Sequence, residues 1–261
     1  MIVTTGGRTN HHMIEIAKRV AEELQILYLE RKKVSIEKII TAVQDDVLVV
    51  GKNRLVIYPL KDPSNPIFFH PNSAMFRVKR IVRGEEDPFI QATKLKKGTS
   101  FLDCTIGLAS DSIVASSVIG PTGRVVGIEG NRYIAYLLSI GLQTWESGHE
   151  PINQAMRQIT IIQADHLTFL QQQTSASFDV VYFDPMFEEN IVESDGIKGL
   201  RSMAIYEDLV DEAIEQALRV AKARVVLKDH WKSARFERFG FTVYRRKTAK
   251  FHFGVIEKFC N

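Results

Sequence analysis

An open, doubly wound α/β sheet with an antiparallel hairpin at one edge, preceded by a small α/β domain, is the architecture this sequence predicts. Three observations carry it. Short apolar runs at Phe101–Thr105, Arg124–Ile128, Ile159–Ile162, Phe178–Phe183 and Arg224–Lys228 are separated by helical stretches, the alternation that builds a parallel sheet. Two further runs, Phe241–Arg246 and Phe251–Glu257, follow each other with no helix between them, which suits an antiparallel pair at the sheet edge. The first 73 residues carry a separate alternation that closes on a hairpin signal.

The composition limits the alternatives. The chain has 261 residues, 45% hydrophobic and 25% charged, with a net charge of +3. That is ordinary for a globular protein with one large core and a smaller appendage. No apolar run is long enough to span a bilayer, and the N-terminus shows no signal-peptide pattern, so no membrane partner is expected. Cys104 and Cys260 are the two cysteines; neither a disulfide framework nor a metal site is expected, and a reducing cytoplasm fits. The small net charge leaves any nucleic-acid partner to be argued from where the cations lie.

Taken in order, Thr4 to Asn10 is a turn-rich entry to an amphipathic helix with Ile14, Ala17, Val20, Ala21 and Leu24 on one face. A short strand at Ile26–Leu29 follows, then the basic cluster Arg31-Lys32-Lys33 and a helix through Val43 that Ser35 can cap. Val47–Val50 and Leu55–Tyr58 flank Gly51-Lys52-Asn53 as a hairpin. The Pro-rich loop at Lys61–Pro66 marks the edge of this domain, residues 1–73. Residues 74–98 read as a basic linker in which Arg77 to Arg83 alternates as a strand, with Arg77, Lys79 and Arg83 on one side, ended by Gly84 to Pro88. A solvated face and a phosphate-contacting face both account for that run. Residues 99–261 hold the main sheet, with helices expected after Gly107, at Tyr133–Ser147, Leu167–Gln173 and Tyr206–Val220.

The chemistry concentrates at the strand ends. Asp103, Glu129 and Asp165 close successive strands, and ligands of open α/β sheets bind outside the carboxyl ends. Gly107 lets the backbone approach a ligand, and Glu129 can accept from both ribose hydroxyls of an adenosyl group. No lysine follows the turn, which excludes a P-loop. Ala109 stands where a dinucleotide fingerprint needs a third glycine. Each acid alone is also a good helix cap; three at matching strand ends favour a cofactor. The sharper signal is Asp184-Pro185-Met186-Phe187 at the end of the fourth strand. An exocyclic base amine is a poor nucleophile because its lone pair is delocalised into the ring. Asp184 and the Pro185 carbonyl can accept its two hydrogens and turn the lone pair toward a methyl donor, while Phe187 offers a face on which a flipped base stacks.

Asp103-Cys-Thr-Ile-Gly107-Leu-Ala-Ser-Asp111, Glu129-Gly-Asn131, Val181 to Phe187 and Arg224 to Lys228 together resemble the bacterial small-subunit ribosomal RNA (guanine-N2)-methyltransferases, from about Ala74 to Val255. Ala74-Met75, the basic run and Arg83-Gly84-Glu85 look like that family's linker. The resemblance implies a class I, Rossmann-like methyltransferase sheet using S-adenosyl-L-methionine and releasing S-adenosyl-L-homocysteine. It implies cofactor contacts from Asp103, Thr105, Gly107, Asp111, Glu129, Gly130, Asn131, Asp165 and His166, with Asp165 on the adenine amine. It implies Asp184, Pro185 and Phe187 as catalytic, and ribosomal RNA held by Arg77, Lys79, Arg80, Arg83 and Lys228. The sequence departs from the family at Ala109, where the family has glycine, and at Lys228-Asp229-His230-Trp231, where it has Lys-Arg-Pro. The opening Thr4-Thr5-x-x-Arg8, a helix, Arg31-x-Lys33-x-Ser35, a helix and a hairpin are similar to half of a Brix-type RNA-binding domain. Two other functions share these motifs: amine methylation on a protein amide or a small molecule, and a cofactor-binding RNA module acting in ribosome assembly.

Overall fold

The computed structural model describes residues 1–185, 200, 203 and 208–258. They form two compact units, one of residues 1–70 with Leu200 and Met203, the other of residues 71–185 and 208–258.

In the first unit, Ile2–Thr5 (β1) lies between Leu27–Tyr28 (β2) and Val47–Val50 (β3), parallel to both. Leu55–Tyr58 (β4) returns antiparallel to β3 through the expected hairpin. His11–Leu24 (α1) is capped by Asn10 and buries Met13, Ala17, Val20 and Leu24, at i, i+4, i+7 spacing. Ile36–Val43 (α2) is capped by Ser35, as expected, and buries Ile36, Ile39 and Ile40 against β1 and β3.

The second unit begins with a correction. The basic run is no strand: Asn72–Val82 (α3) is a helix that buries Ala74 and Val78 four residues apart. The alternating charges mimicked a two-residue period, but the buried apolar residues follow the helical one. Pro88–Thr93 (α4) follows, with Pro88 at its first turn and Asp87 capping Phe89 and Ile90. Residues 74–98 are therefore no linker. Phe89 is fully buried, edge-on to Phe101 and Tyr182.

Ser100–Asp103 (β5), Arg124–Glu129 (β6), Ile159–Gln163 (β7), Phe178–Phe183 (β8) and Ala221–His230 (β9) are all parallel. Thr242–Tyr244 (β10) and Phe251–Glu257 (β11) complete the sheet in the order β10-β11-β9-β8-β5-β6-β7, with β11 antiparallel to both neighbours. The chain winds outward from β5 to β7 and then restarts at β8 on the other side. The switch point is thus between β5 and β8, where such sheets bind ligands. The helices are Ser110–Ile119 (α5), Arg132–Thr144 (α6), Glu150–Arg157 (α7), His166–Gln172 (α8), Asp211–Val220 (α9) and Arg235–Arg238 (α10). Helix α6 stops three residues earlier than expected, and α7 was not anticipated. Of the expected Tyr206–Val220 helix, Tyr206 and Glu207 lie outside the described residues. A core of Leu102, Val126, Val181, Val225 and Leu227 on the sheet, with Ala213 and Ala217 of α9, holds the strand ends in fixed relation.

Candidate active site

The cofactor side is built on β5 and β6. Asp103 is buried, and both its oxygens face protein: Oδ1 accepts from the Thr105 amide at 3.1 Å and Oδ2 from Ser112 Oγ at 2.6 Å. Burial pushes its carboxyl up to about 7. Asp103 therefore braces the turn from behind. Gly107 and Ala109 both have left-handed backbones, with φ of 51° and 62°. Glycine adopts that region freely, whereas alanine there costs about 1–2 kcal/mol. That is the physical reason for glycine at the position Ala109 fills. On β6, Gly127 makes room for the turn: a Cβ there would sit 2.0 Å from Ile106 Cδ1.

Glu129 ends β6. Its Oε1 accepts from the Asn131 amide at 2.8 Å, and Oε2 has no partner among the described residues. Burial pushes the Glu129 carboxyl up to about 7 against that one hydrogen bond. A half-buried carboxylate with one oxygen unfilled is a site open to hydroxyl donors. Asn131 caps α6 through the Tyr133 and Ile134 amides, and the Gly130 carbonyl accepts from Gln163 Nε2 at 3.2 Å. Asp165 caps α8, accepting from the Thr168 amide at 2.8 Å, with its other oxygen 3.8 Å from His166 Nδ1. The open Glu129 oxygen and the left-handed glycine turn fit the ribose and methionine end of S-adenosyl-L-methionine.

The acceptor side is built on β8 and β9. Asp184 sits at the switch point, and its amide donates to Thr105 Oγ1 at 2.6 Å, which ties the Asp184-Pro185 turn to the Gly107 turn. Lys228 Nζ lies 2.6 Å from Asp184 Oδ2 and 3.1 Å from Asp111 Oδ2. Asp111 also accepts from Tyr182 Oη at 2.7 Å and pairs with Arg77 Nη1. Arg77 in turn holds Asp87 through Nε and Nη2, both at 2.9 Å. Four segments distant in sequence thus meet in one charge network centred on buried Asp111. Burial raises the Asp184 carboxyl to about 6, Asp111 and Asp229 add to that as like charges, and Lys228 opposes it. Asp111 keeps a depressed pKa despite burial because Lys228 and Arg77 face it.

These contacts revise three sequence expectations. Arg77 is not a free phosphate ligand, because its guanidinium is held by two carboxylates. Lys228 is not a free RNA contact; it is half-buried, with its ammonium on Asp184 and Asp111. Asp111 is not an open cofactor contact, since its oxygens are taken by Arg77, Lys228 and Tyr182. Among the other expected RNA cations, Arg80 pairs with Glu85 at 2.7 Å on the surface, and Lys79 and Arg83 are exposed. Phe187 and Met186 lie outside the described residues. Sequence reasoning missed Tyr182, Ser112 and Asp87. For Tyr182 the signal available was a polar group embedded in an apolar strand, which must find a buried partner.

Comparison with known proteins bears on this geometry. Residues 31–252 match a family model described as "Putative SAM-dependent methyltransferase". The chain is 47% identical over 256 residues to "Uncharacterized protein YpiP" of Bacillus subtilis, covering 98% of this chain and 99% of that one. It is 30% identical over 168 residues to "Ribosomal RNA small subunit methyltransferase J" of Acinetobacter baumannii, covering 58% of each chain, so it spans little more than half of that relative. Its fold is that of the SAM-dependent methyltransferase NGO1261 of Neisseria gonorrhoeae, with a TM-score of 0.65 at 16% identity over 98% of this chain and 96% of the other.

Proposed function

This chain belongs to that family of S-adenosyl-L-methionine-dependent methyltransferases, and from that premise we propose that it methylates the exocyclic N2 amine of a guanine in small-subunit ribosomal RNA, in the cytoplasm. The observation that carries the proposal is Asp184-Pro185 at the switch point, hydrogen-bonded to the cofactor turn through Thr105. The distant likeness to ribosomal RNA small subunit methyltransferase J supports it.

When bound, S-adenosyl-L-methionine supplies an electrophilic methyl group on a positively charged sulfur. The chain does the rest by placement and electrostatics. Glu129 Oε2 accepts the ribose hydroxyls and fixes the donor above Gly107. Asp184 Oδ2 is held by Lys228, which leaves Oδ1, without a partner among the described residues, to accept one amine hydrogen. The Pro185 carbonyl accepts the other, and the amine lone pair then faces the methyl group for in-line displacement, in which the C–S bond would break as the N–C bond forms and Asp184 Oδ1 would take the surplus amine proton. Lys228 keeps Asp184 ionised, and Asp111, pinned by Arg77 and Tyr182, keeps Lys228 in place. Phe187 stacks the flipped base. Asp165 and His166 border the adenine.

The test is methyl transfer from labelled S-adenosyl-L-methionine to unmodified small-subunit ribosomal RNA, with peptides and small amines offered in parallel. Digestion of the RNA and mass spectrometry should find N2-methylguanine. Label appearing only in peptide or small amine would overturn the RNA reading.

A further inference from the structure

The carboxyl edge of the sheet continues past the crevice into a basic rim that the reaction chemistry leaves unused. Because β11 runs antiparallel to β9 and β10, the 245–250 connection lies at the same end of the sheet as the end of β9. Trp231, just past β9, donates its amide to the Lys250 carbonyl at 3.1 Å and joins the two segments. Arg245, Arg246, Lys247 and Lys250 fall within six residues that hold no acid, and Lys232 adds a fifth cation. None of the five forms an ion pair among the described residues. The nearby Arg235 and Arg238, by contrast, are bridged to Asp208, Asp229 and Asp211. Trp231 is 51% exposed, with Lys232 Nζ 5.0 Å from its ring. The rim is also tied to the catalytic residues. Lys228, on Asp184, lies 5.0 Å from the Phe251 ring, and Arg246 packs 5.4 Å from that same ring.

Five unpaired cations beside an exposed indole are a poor arrangement for a surface with no partner. They are a good one for a polyanion with unstacked bases. We propose that Trp231, Lys232 and the β10–β11 connection bind the single-stranded RNA that flanks the acceptor base, with Trp231 stacking one nucleotide and the cations contacting phosphates. This places the phosphate-binding surface on the hairpin edge, beside Asp184. It rests on the ribosomal RNA reading above.

The experiment measures affinity for unmodified small-subunit ribosomal RNA at several salt concentrations, for the full chain and two variants. In the first, Arg245, Arg246, Lys247 and Lys250 are changed to Ala. The salt slope of log K should flatten by about 3, at roughly 0.7 per lost contact to a single strand. In the second, Trp231→Ala should weaken binding by about tenfold with an unchanged slope. Both variants should bind S-adenosyl-L-methionine as the parent does, which shows that the methyltransferase unit is folded. If the parent binds RNA and both variants match it in affinity and slope, the rim is not the RNA surface, while the function above stands. If the parent neither binds nor methylates RNA, both proposals fall together.

Discussion

The two halves of the crevice treat their carboxylates in opposite ways. On the cofactor side, Asp103 is buried and Glu129 half-buried, neither bonded to a cation among the described residues, and burial pushes both up to about 7. On the acceptor side, Asp184 and Asp111 share Lys228, and Arg77 holds Asp111 again. The difference follows what the proposed function asks of each half. A site that recognises hydroxyl groups works by leaving one acceptor unfilled, so that the ligand completes it. A site that orients a reacting amine needs a carboxylate of fixed position and charge, and a buried cation supplies both.

The largest effect expected from breaking this arrangement is on stability. Arg77→Ala removes one of the two cations facing buried Asp111 and both hydrogen bonds to Asp87. It should cost about 3–5 kcal/mol, the scale for orphaning one member of a buried pair, read by denaturant unfolding. Arg80→Ala, three residues further along α3 and exposed, should cost less than about 1 kcal/mol. Equal costs for the two would mean that the inward network holds nothing together.

On the catalytic side, Asp184→Ala should keep cofactor affinity and lower single-turnover methyl transfer by roughly 10²–10³. The wild-type rate should rise with pH and level off above about 6, as the Asp184 carboxyl ionises. Because Lys228 favours the carboxylate, Lys228→Met should move that midpoint upward and recover part of its lost rate at alkaline pH. A midpoint that does not move in Lys228→Met would sever Lys228 from the charge state of Asp184.

The cofactor half gives the opposite sign. Glu129 has a folded pKa raised from the ordinary carboxylate range to about 7, so its protonated form is the stable one in the free protein. Stability tied to it is fully present below the unfolded value near 4 and is lost as pH rises through 7. Glu129→Gln should therefore stabilise the free protein at pH 8, by on the order of 1–3 kcal/mol in thermal unfolding, with little gain at pH 4. The same change should weaken cofactor binding by about 1.5–3 kcal/mol, the scale of hydrogen bonds to a charged acceptor, in calorimetric titration. Greater stability at pH 8 together with undiminished cofactor affinity would remove Glu129 from the ribose site.

The smallest effect concerns the turn. Ala109→Gly relieves a left-handed alanine and should stabilise by about 1 kcal/mol. A loss instead would show that the Ala109 methyl, which is fully buried, contributes more by packing than its backbone conformation costs.

The sequence by itself determined the strand–helix alternation from β5 onward, the hairpin edge and the acids at the strand ends. It could do so because these are local facts: a run of buried residues, a turn glycine, and a residue type at a fixed distance along the chain. The helix at Asn72–Val82 escaped it because charges at alternating positions imitated a strand, and only the burial of Ala74 and Val78 set the period. The tertiary structure alone decided which charges face inward. Arg77 and Lys79 stand two residues apart in one basic run, yet Arg77 lies on two buried carboxylates and Lys79 in solvent. Asp111 and Lys228 are 117 residues apart and meet only because α5 and β9 flank the same switch point. A charge pattern states how many cations a segment has. Which of them must be neutralised depends on what the fold buries beside each one, because desolvation is a property of place and not of sequence.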